Sequence, residues 1–316
     1  MSHFELLNPG FLTTYQDLGR PDMLKFALAH CGAMDETSLR LANLLLNNSE
    51  GAAALETTAM GLTVKALDKA LIAVTGADLG LELNGKSAPM WTVLQLEVGD
   101  VVRFKGKKKG LRSYLAVAGG FDAPVILGSR SVYLRGGMGT TLKKGDLIRS
   151  LPLENQAPRA GRSLADEFQP TLDLTLPIRV LPGPQFDYFT RNGQETFTKS
   201  VYSISSISDR QGCRTEGPTI ERNRGPDIIT DPIPLGSIQV PGNGLPIILL
   251  KDAQVTGGYA KIGLVARVDF DRVGQLSPGD KIRFKLIRRE EALDLLKNQV
   301  QLLVKARQTL GDVSRA

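Results

Sequence analysis

The chain has 316 residues, a formal net charge of +6, and only two cysteines and two histidines. This length allows two domains with ordinary hydrophobic cores. Two cysteines are too few for a disulfide framework, and we find no secretory leader and no apolar run long enough to cross a bilayer, so we expect a cytoplasmic protein without a membrane partner. The single basic cluster, at residues 105–109, is typical of a solvated turn and predicts no nucleic-acid partner.

Short apolar stretches separated by Gly, Pro, Asn and Asp dominate the chain, as at residues 71–75, 101–104 and 282–286. This pattern predicts a mainly β fold of the α+β class with a few helices. The first helix is predicted to begin at Asp35, because a carboxylate there can cap the exposed backbone amides. Asp35 is therefore either a helix cap or a site residue.

Residues 80–87 match the Walker A expression, with Lys86 in the lysine position. A phosphate loop must open a helix, whereas the sequence before Lys86 alternates like a strand and Asn84 and Gly85 form a hairpin turn pair. We therefore predict a β-hairpin here and no nucleotide site. If the system uses ATP, the nucleotide binds elsewhere or on another subunit.

The two halves of the chain resemble each other. Residues 96–105 match residues 276–285 at an offset of 180, and Gly61 with the run from Leu71 matches Gly236 with the run from Pro246 at an offset of 175. Two similar offsets indicate an internal duplication. The predicted organisation is a first domain at 1–150, a linker at 151–176, a second domain at 177–287 and a C-terminal helix at 288–316. That helix is predicted to pack on the body or on a partner through a stripe of four residues: Leu293, Leu296, Val300 and Leu303.

The most informative stretch follows the apolar run at residues 245–250, which predicts a buried strand. Asp252 comes directly after that strand. Thr256, Gly257, Gly258 and Tyr259 are predicted to form a loop in which the glycines allow close backbone approach to a ligand. We take Asp252 as a candidate general base or water-orienting group, with Thr256 and Tyr259 as further catalytic candidates.

Candidate substrate-binding groups lie on the other predicted β-loops. Arginines are included because a guanidinium holds a carboxylate through two parallel hydrogen bonds, although interdomain or surface salt bridging is an equally good interpretation for each. The candidates are Arg20, Asp35, Asp78, Arg112, Arg130, Asp209, Arg210, Arg214, Gln239, Gly257 and Gly258. With only His3 and His30 and no Cys-x-x-Cys pair, we predict no metal site.

Ten short motifs in order resemble one family, the biotin-dependent carboxyltransferase-like proteins, also called allophanate hydrolase subunit 2. The resemblance spans about residues 5–287. The motifs are residues 14–21, 32–35, 38–43, 73–78, 114–120, 128–131, 183–190, 209–218, 236–241 and 251–263. At residues 29–31 the chain departs from the family pattern, which puts a hydroxyl role there in doubt.

The resemblance implies tandem cyclophilin-like β-barrel domains with the functional cleft between them. It also implies a subunit of an ATP-dependent complex that opens 5-oxo-L-proline to L-glutamate, with A-like and B-like subunits as partners. In that case this chain binds no cofactor tightly and the complex uses ATP. Two alternatives remain open: a biotin-dependent carboxyltransferase of the urea carboxylase type, and a regulatory protein that antagonises an inhibitor of a histidine kinase.

Overall fold

The computed structural model describes residues 1–154 and 156–313. These residues form two compact units. The first contains Met1–Arg20, Cys31–Leu172 and the chain from Val300 onward, and the second contains Pro21–His30 and Asp173–Gln299. The units are therefore not contiguous in sequence, in contrast to the predicted boundaries, because one short early segment and the start of the C-terminal helix make most of their contacts within the second unit.

The first unit contains two antiparallel sheets. Its strands are β1 (His3–Pro9), β2 (Leu12–Gln16), β3 (Ala54–Thr58), β4 (Leu62–Ala66), β5 (Ala70–Asp78), β6 (Leu81–Leu83), β7 (Lys86–Ser87), β8 (Val93–Leu96), β9 (Val101–Phe104), β10 (Lys109–Val117) and β11 (Leu147–Arg149). One sheet has the order β11-β1-β4-β9-β6-β7, and the other has the order β2-β3-β10-β5-β8. Phe4, Leu55, Ile72 and Leu115 belong to a buried core that both sheets supply.

The first helix, α1 (Glu36–Leu45), packs on the residues of the second sheet that alternate with that core. Leu39 and Ala42 of the helix join Ala73 and Tyr114 of the strands in a second buried cluster. The Asp35 side chain accepts a hydrogen bond from the backbone N–H of Ser38, so the predicted start of the helix is confirmed.

The second unit contains one eight-stranded sheet and a separate two-stranded ribbon. Its elements are β12 (Ile178–Pro182), α2 (Arg191–Lys199), β13 (Tyr202–Ile204), β14 (Gly212–Glu216), β15 (Asp227–Pro232), β16 (Ser237–Gln239), β17 (Ile247–Leu249), β18 (Thr256–Tyr259), β19 (Lys261–Val265), α3 (Arg267–Val273), β20 (Lys281–Ile282) and β21 (Phe284–Leu286). The sheet has the order β20-β13-β14-β17-β16-β19-β12-β21, and the ribbon pairs β15 with β18. Phe197 of α2 stacks on Phe284 with ring centroids 4.5 Å apart, which anchors the helix to the sheet.

The C-terminal helix, α4 (Arg289–Val313), is present as predicted, while residues 314–316 of the predicted element lie outside the described residues. Packing of the predicted stripe on the body is wrong at two positions, because Leu293 is 45% and Val300 is 52% exposed. Leu303 packs against the cluster that contains α1, and Ala306 and Leu310 are buried in that cluster. Leu310 lies two helical turns beyond Leu303 on the same face, so the covered part of the helix is its C-terminal end.

The predicted duplication is visible in one pair of turns. Glu97 N–H donates to Asp100 Oδ2 at 2.8 Å in the first unit, and Ser277 N–H donates to Asp280 Oδ2 at 2.7 Å in the second. The two turns are related by the larger of the two offsets found in the sequence. The predicted fold class, tandem β-domains with few helices and a C-terminal helix, is confirmed.

Gly119 provides a test of how tightly the chain packs in the first unit. Its φ is +93°, and a Cβ at this position would lie 2.2 Å from the carbonyl oxygen of Leu151. Gly99 has a φ of +94° and no atom within 4 Å of the same point. We expect Gly99→Ala to cost about 1 kcal/mol and Gly119→Ala about 2 to 4 kcal/mol, because only the second adds a steric clash with backbone. Calorimetric unfolding of the two variants measures the difference, and equal destabilisation would contradict it.

Candidate functional site

In the first unit, Asp17 fastens a distant loop to the end of β2. Its carboxylate accepts hydrogen bonds from Ser129 Oγ at 2.6 Å, from the backbone N–H of Arg130 at 2.6 Å and from the hydroxyl of Ser131. The backbone N–H of Gly19 donates to the same carboxylate at 2.7 Å. Two sequence motifs, residues 14–21 and 128–131, therefore form one local structure.

Arg20, a predicted substrate-binding residue, lies beside that loop and is 3% exposed. Its Nη2 donates to the carbonyl oxygen of Ser131 at 2.7 Å, whereas its buried Nε and Nη1 have no partner among residues 1–154 and 156–313. Gln16 was not predicted as a site residue. Its Nε2 donates to the carbonyl oxygen of Val132, the residue after Ser131. Its buried Oε1 has no hydrogen-bond partner in the same described part of the chain. Unpartnered buried polar atoms are unusual and are typical of ligand sites or internal water sites.

A second buried cluster joins two predicted residues, Asp35 and Arg112, through two that the sequence analysis missed. The Tyr114 hydroxyl donates to Glu56 Oε2 at 2.7 Å and accepts from the backbone N–H of Asp35 at 2.8 Å, and Arg112 Nε lies 3.7 Å from Glu56 Oε1. Burial raises the pKa of the Tyr114 phenol well above its usual range, and the charges of Glu56 and Asp35 raise it further, so the phenol stays neutral. Asp35 uses its carboxylate as the helix cap, with Ser38 N–H at 2.9 Å and Ser38 Oγ at 2.7 Å.

Asp78 occupies a different environment from these buried groups. Its side chain is 45% exposed, accepts from the backbone N–H of Gly80 at 2.8 Å and lies 3.8 Å from Lys108 Nζ. These contacts are those of a solvated turn at the end of β5. A substrate-binding role for Asp78 stays a prediction.

In the second unit, Asp252 forms a buried ion pair with Arg210. Arg210 Nε lies 2.9 Å from Asp252 Oδ2 and Nη2 lies 3.3 Å from Oδ1, with side-chain exposures of 10% and 7%. Asp209 Oδ1 accepts from the N–H groups of Gln211 and Gly212, which shapes the turn that carries Arg210. Both oxygens of Asp252 are therefore held by a guanidinium, which favours a structural ion pair over a general base. Its catalytic role stays a prediction.

The predicted loop at residues 256–259 is a strand. Thr256–Tyr259 forms β18 and pairs antiparallel with β15, with Asp231 opposite Gly257. The loop prediction fails because pairing with this earlier strand satisfies the backbone, a contact that local composition does not encode. Thr256 and Tyr259 are exposed on the ribbon, Gly258 is half-buried between them, and Arg214 is exposed on β14.

Gly257 lets two side chains approach the ribbon backbone. A Cβ there would lie 2.7 Å from Ile233 Cδ1 and 2.9 Å from Gln239 Nε2. Gln239 is 2% exposed, and its Nε2 lies 3.5 Å from the Tyr259 carbonyl oxygen. The structure thus brings together three predicted residues: Gln239, Gly257 and Tyr259.

A polar cluster that the sequence analysis missed adjoins the ribbon. Lys261 is 2% exposed, and its Nζ pairs with Asp231, whose side chain is 34% exposed. Gln185 connects the two, since its Oε1 accepts from the Lys261 N–H at 3.1 Å and its Nε2 lies 3.3 Å from Asp231 Oδ2. A lone lysine at the head of the apolar strand β19 is the sequence signal that points to this site.

The Walker-like stretch is a hairpin, as predicted. Leu83 pairs with Lys86 and Glu82 with Ser87, and Lys86 is exposed. Within residues 1–154 and 156–313, no three His, Cys, Asp or Glu side chains are grouped to hold a metal ion. The same residues contain no helix with the length and apolarity needed to cross a bilayer.

Comparison with known proteins gives consistent matches. The profile of the family described as "Carboxyltransferase domain, subdomain A and B" matches residues 26–286. The chain is 37% identical to the C subunit of Escherichia coli 5-oxoprolinase, over 93% of this chain and 94% of that protein. It is 34% identical to the C subunit of Haemophilus influenzae 5-oxoprolinase, over 94% and 96%. The crystal structure of K. lactis urea amidolyase matches with a TM-score of 0.90 and 29% identity, over 96% of this chain and 20% of that one. The family resemblance in the sequence is therefore confirmed.

The Arg210–Asp252 pair predicts the outcome of a conservative substitution. Asp252→Asn leaves a buried guanidinium without its carboxylate, so we expect a loss of about 3 to 5 kcal/mol in the free energy of unfolding. Asp78→Asn is the matched control at an exposed carboxylate and should cost less than about 0.5 kcal/mol. Urea unfolding measures both. If the two substitutions destabilise the protein equally, the Asp252 pair is not the buried ion pair described above.

Proposed function

The chain belongs to the family of carboxyltransferase domains with subdomains A and B, and from this membership we propose that it is the C subunit of an ATP-dependent 5-oxoprolinase complex. One observation carries the proposal: the 37% identity to the C subunit of E. coli 5-oxoprolinase extends over 93% of this chain and 94% of that protein. A match over nearly the full length of both chains favours an equivalent subunit over a shared module.

The proposed reaction opens the lactam ring of 5-oxo-L-proline. ATP phosphorylates the lactam oxygen and ADP leaves. Water adds to the ring carbon that bears this oxygen, and the C–N bond breaks as the nitrogen takes up a proton, which gives an acyl phosphate. A second water then hydrolyses the acyl phosphate to L-glutamate and phosphate. The reaction therefore needs a cation for the substrate carboxylate and polar groups near the ring carbon.

Each unit, taken by itself, contains polar groups suited to such a substrate. In the first unit, Arg20 has two buried guanidinium nitrogens without partners among the described residues, which suits an anion. In the second unit, Lys261 and Gln239 are buried, and Thr256 and Tyr259 are exposed on the ribbon. We propose that this group in the second unit contacts the lactam ring during the reaction.

The partners follow from the same proposal. We expect A-like and B-like subunits to complete the active site and to bind ATP, because the chain's single Walker-like stretch is a hairpin. We also expect the complex to be cytoplasmic.

A carboxyltransferase of the urea carboxylase type is the second candidate. The TM-score of 0.90 with K. lactis urea amidolyase favours it, but this chain covers only 20% of that protein. That reaction would also require a biotin carrier.

Reconstitution tests the proposed activity. Purified C-like, A-like and B-like proteins are mixed with 5-oxo-L-proline and ATP, and each component is omitted in turn while L-glutamate is measured. We expect glutamate only when all three proteins and ATP are present. Glutamate release by this chain alone would contradict the proposal, and carboxylation of urea in the presence of a biotin carrier would favour the second candidate.

Lys261 provides a residue-level test in the reconstituted complex. We expect Lys261→Met to lower turnover about a hundredfold, because it removes a buried cation next to the proposed reaction centre. Folding should survive, since Asp231 is partly exposed and can be hydrated. Lys86→Ala, on the exposed hairpin, is the control and should stay within about twofold of the unmodified protein. Equal turnover of the Lys261 and Lys86 variants would remove Lys261 from the site.

A further inference from the structure

The first unit contains a cavity of about 380 Å³ that is lined by none of the residues assigned above to the lactam chemistry. Its walls come from four parts of the chain: the end of β2, the turn after α1, the segment after β10, and residues 151–154, here called the strap. Residues from each of them line it: Asp17, Asn48, Gly119, Arg130, Leu151 and Glu154.

Hydrogen bonds hold these walls in place. Asp17 fixes the backbone of Arg130, as described above. Asn48 Oδ1 accepts from the N–H of Gly119 at 2.8 Å, and Asn48 Nδ2 donates to the carbonyl of Val117 at 2.8 Å. Leu151 lies directly against Gly119. The cavity is therefore preformed by neutral and charged contacts within the first unit.

Arg130 is the cation of this cavity. Its Nη1 donates to Asp122 Oδ1 at 3.1 Å and to a backbone carbonyl, whereas Nε and Nη2 have no partner among the described residues. Asp122 is shared with Arg149, whose Nη2 lies 2.8 Å from Oδ2. One carboxylate thus serves two guanidinium groups, which leaves Arg130 able to pair with an anion.

Glu154 supplies the opposite charge. Its side chain is exposed on the strap and makes no hydrogen bond or ion pair with any residue of 1–154 or 156–313. The carboxylate of Asp17, in contrast, is occupied by the donors that fix the wall. Among the charged side chains that line the cavity, one guanidinium and one carboxylate are therefore available to bind a ligand.

We propose that this cavity binds a small α-amino acid, with Arg130 on its carboxylate and Glu154 on its ammonium group. The volume lies near the lower end of the range of about 300 to 1,000 Å³ for ligand pockets, which suits a small zwitterion and not a nucleotide. Binding here is independent of the lactam chemistry proposed above, since it needs neither ATP nor another subunit.

Isothermal titration of the isolated full chain with L-glutamate tests the assignment. We expect N-acetyl-L-glutamate and 5-oxo-L-proline, which lack the ammonium group, to bind at least about tenfold more weakly. Absence of L-glutamate binding at millimolar concentration would overturn the proposal. Tighter binding of 5-oxo-L-proline than of L-glutamate would also overturn it and would make the cavity a lactam site.

Four variants locate the binding. Arg130→Gln should weaken L-glutamate binding at least about tenfold, and Glu154→Gln should weaken L-glutamate but not N-acetyl-L-glutamate. Ser49→Phe places a large side chain in the cavity from its exposed rim without changing the charge, and it should abolish binding. This variant tests the location of the ligand even if Arg130→Gln lowers the stability of the protein. Lys144→Gln, which removes an exposed cation of the same unit that does not line the cavity, is the control and should bind within about twofold of the unmodified chain. Unchanged affinity in Ser49→Phe would place the ligand elsewhere.

Discussion

A carboxylate that leaves water must find donors for its oxygens, and both units of this protein are organised around that requirement. Asp17 ties a loop that is distant in sequence to the end of β2, and Glu56 holds Tyr114 against the start of α1. In the second unit, Asp269 is fully buried and accepts from the Arg179 guanidinium, which also raises the pKa of that arginine. Each acid connects segments that the chain order keeps apart.

The same requirement distinguishes a carboxylate whose oxygens are held by protein donors from one that can still bind a ligand. Asp252 follows a buried strand and so resembles a catalytic carboxylate in sequence, yet the structure gives both of its oxygens to Arg210. Asp231 has the opposite character: it is partly exposed and meets a buried lysine. Because a buried charge needs a partner while a half-exposed one can exchange its partner for water or ligand, we place the proposed chemistry at the ribbon and not at the Arg210 pair.

The sequence predicts best what depends on neighbouring residues. The cap at Asp35, the hairpin at Lys86 and the repeated Gly-Asp turns all rest on contacts within a few residues, and all three are present. The ribbon strand β18 and the Lys261 cluster rest on pairing between segments far apart in the chain, which composition does not encode. The tail helix shows the same limit, since its amphipathic pattern does not say which part of its length is covered.

The tail helix also has a consequence for how the protein is made. Ala306 and Leu310 complete a core whose other fully buried members all lie at or before Phe168, and the carbonyl of Leu310 accepts from Arg162. The whole of Asp173–Gln299 is synthesised between them. At roughly 5 to 20 residues per second, the first unit waits about 6 to 25 seconds for its last helical turns. The first unit thus begins to be synthesised before the second unit but completes its core after it. Throughout that interval, the apolar surface that Ala306 and Leu310 later cover is exposed on the incomplete chain.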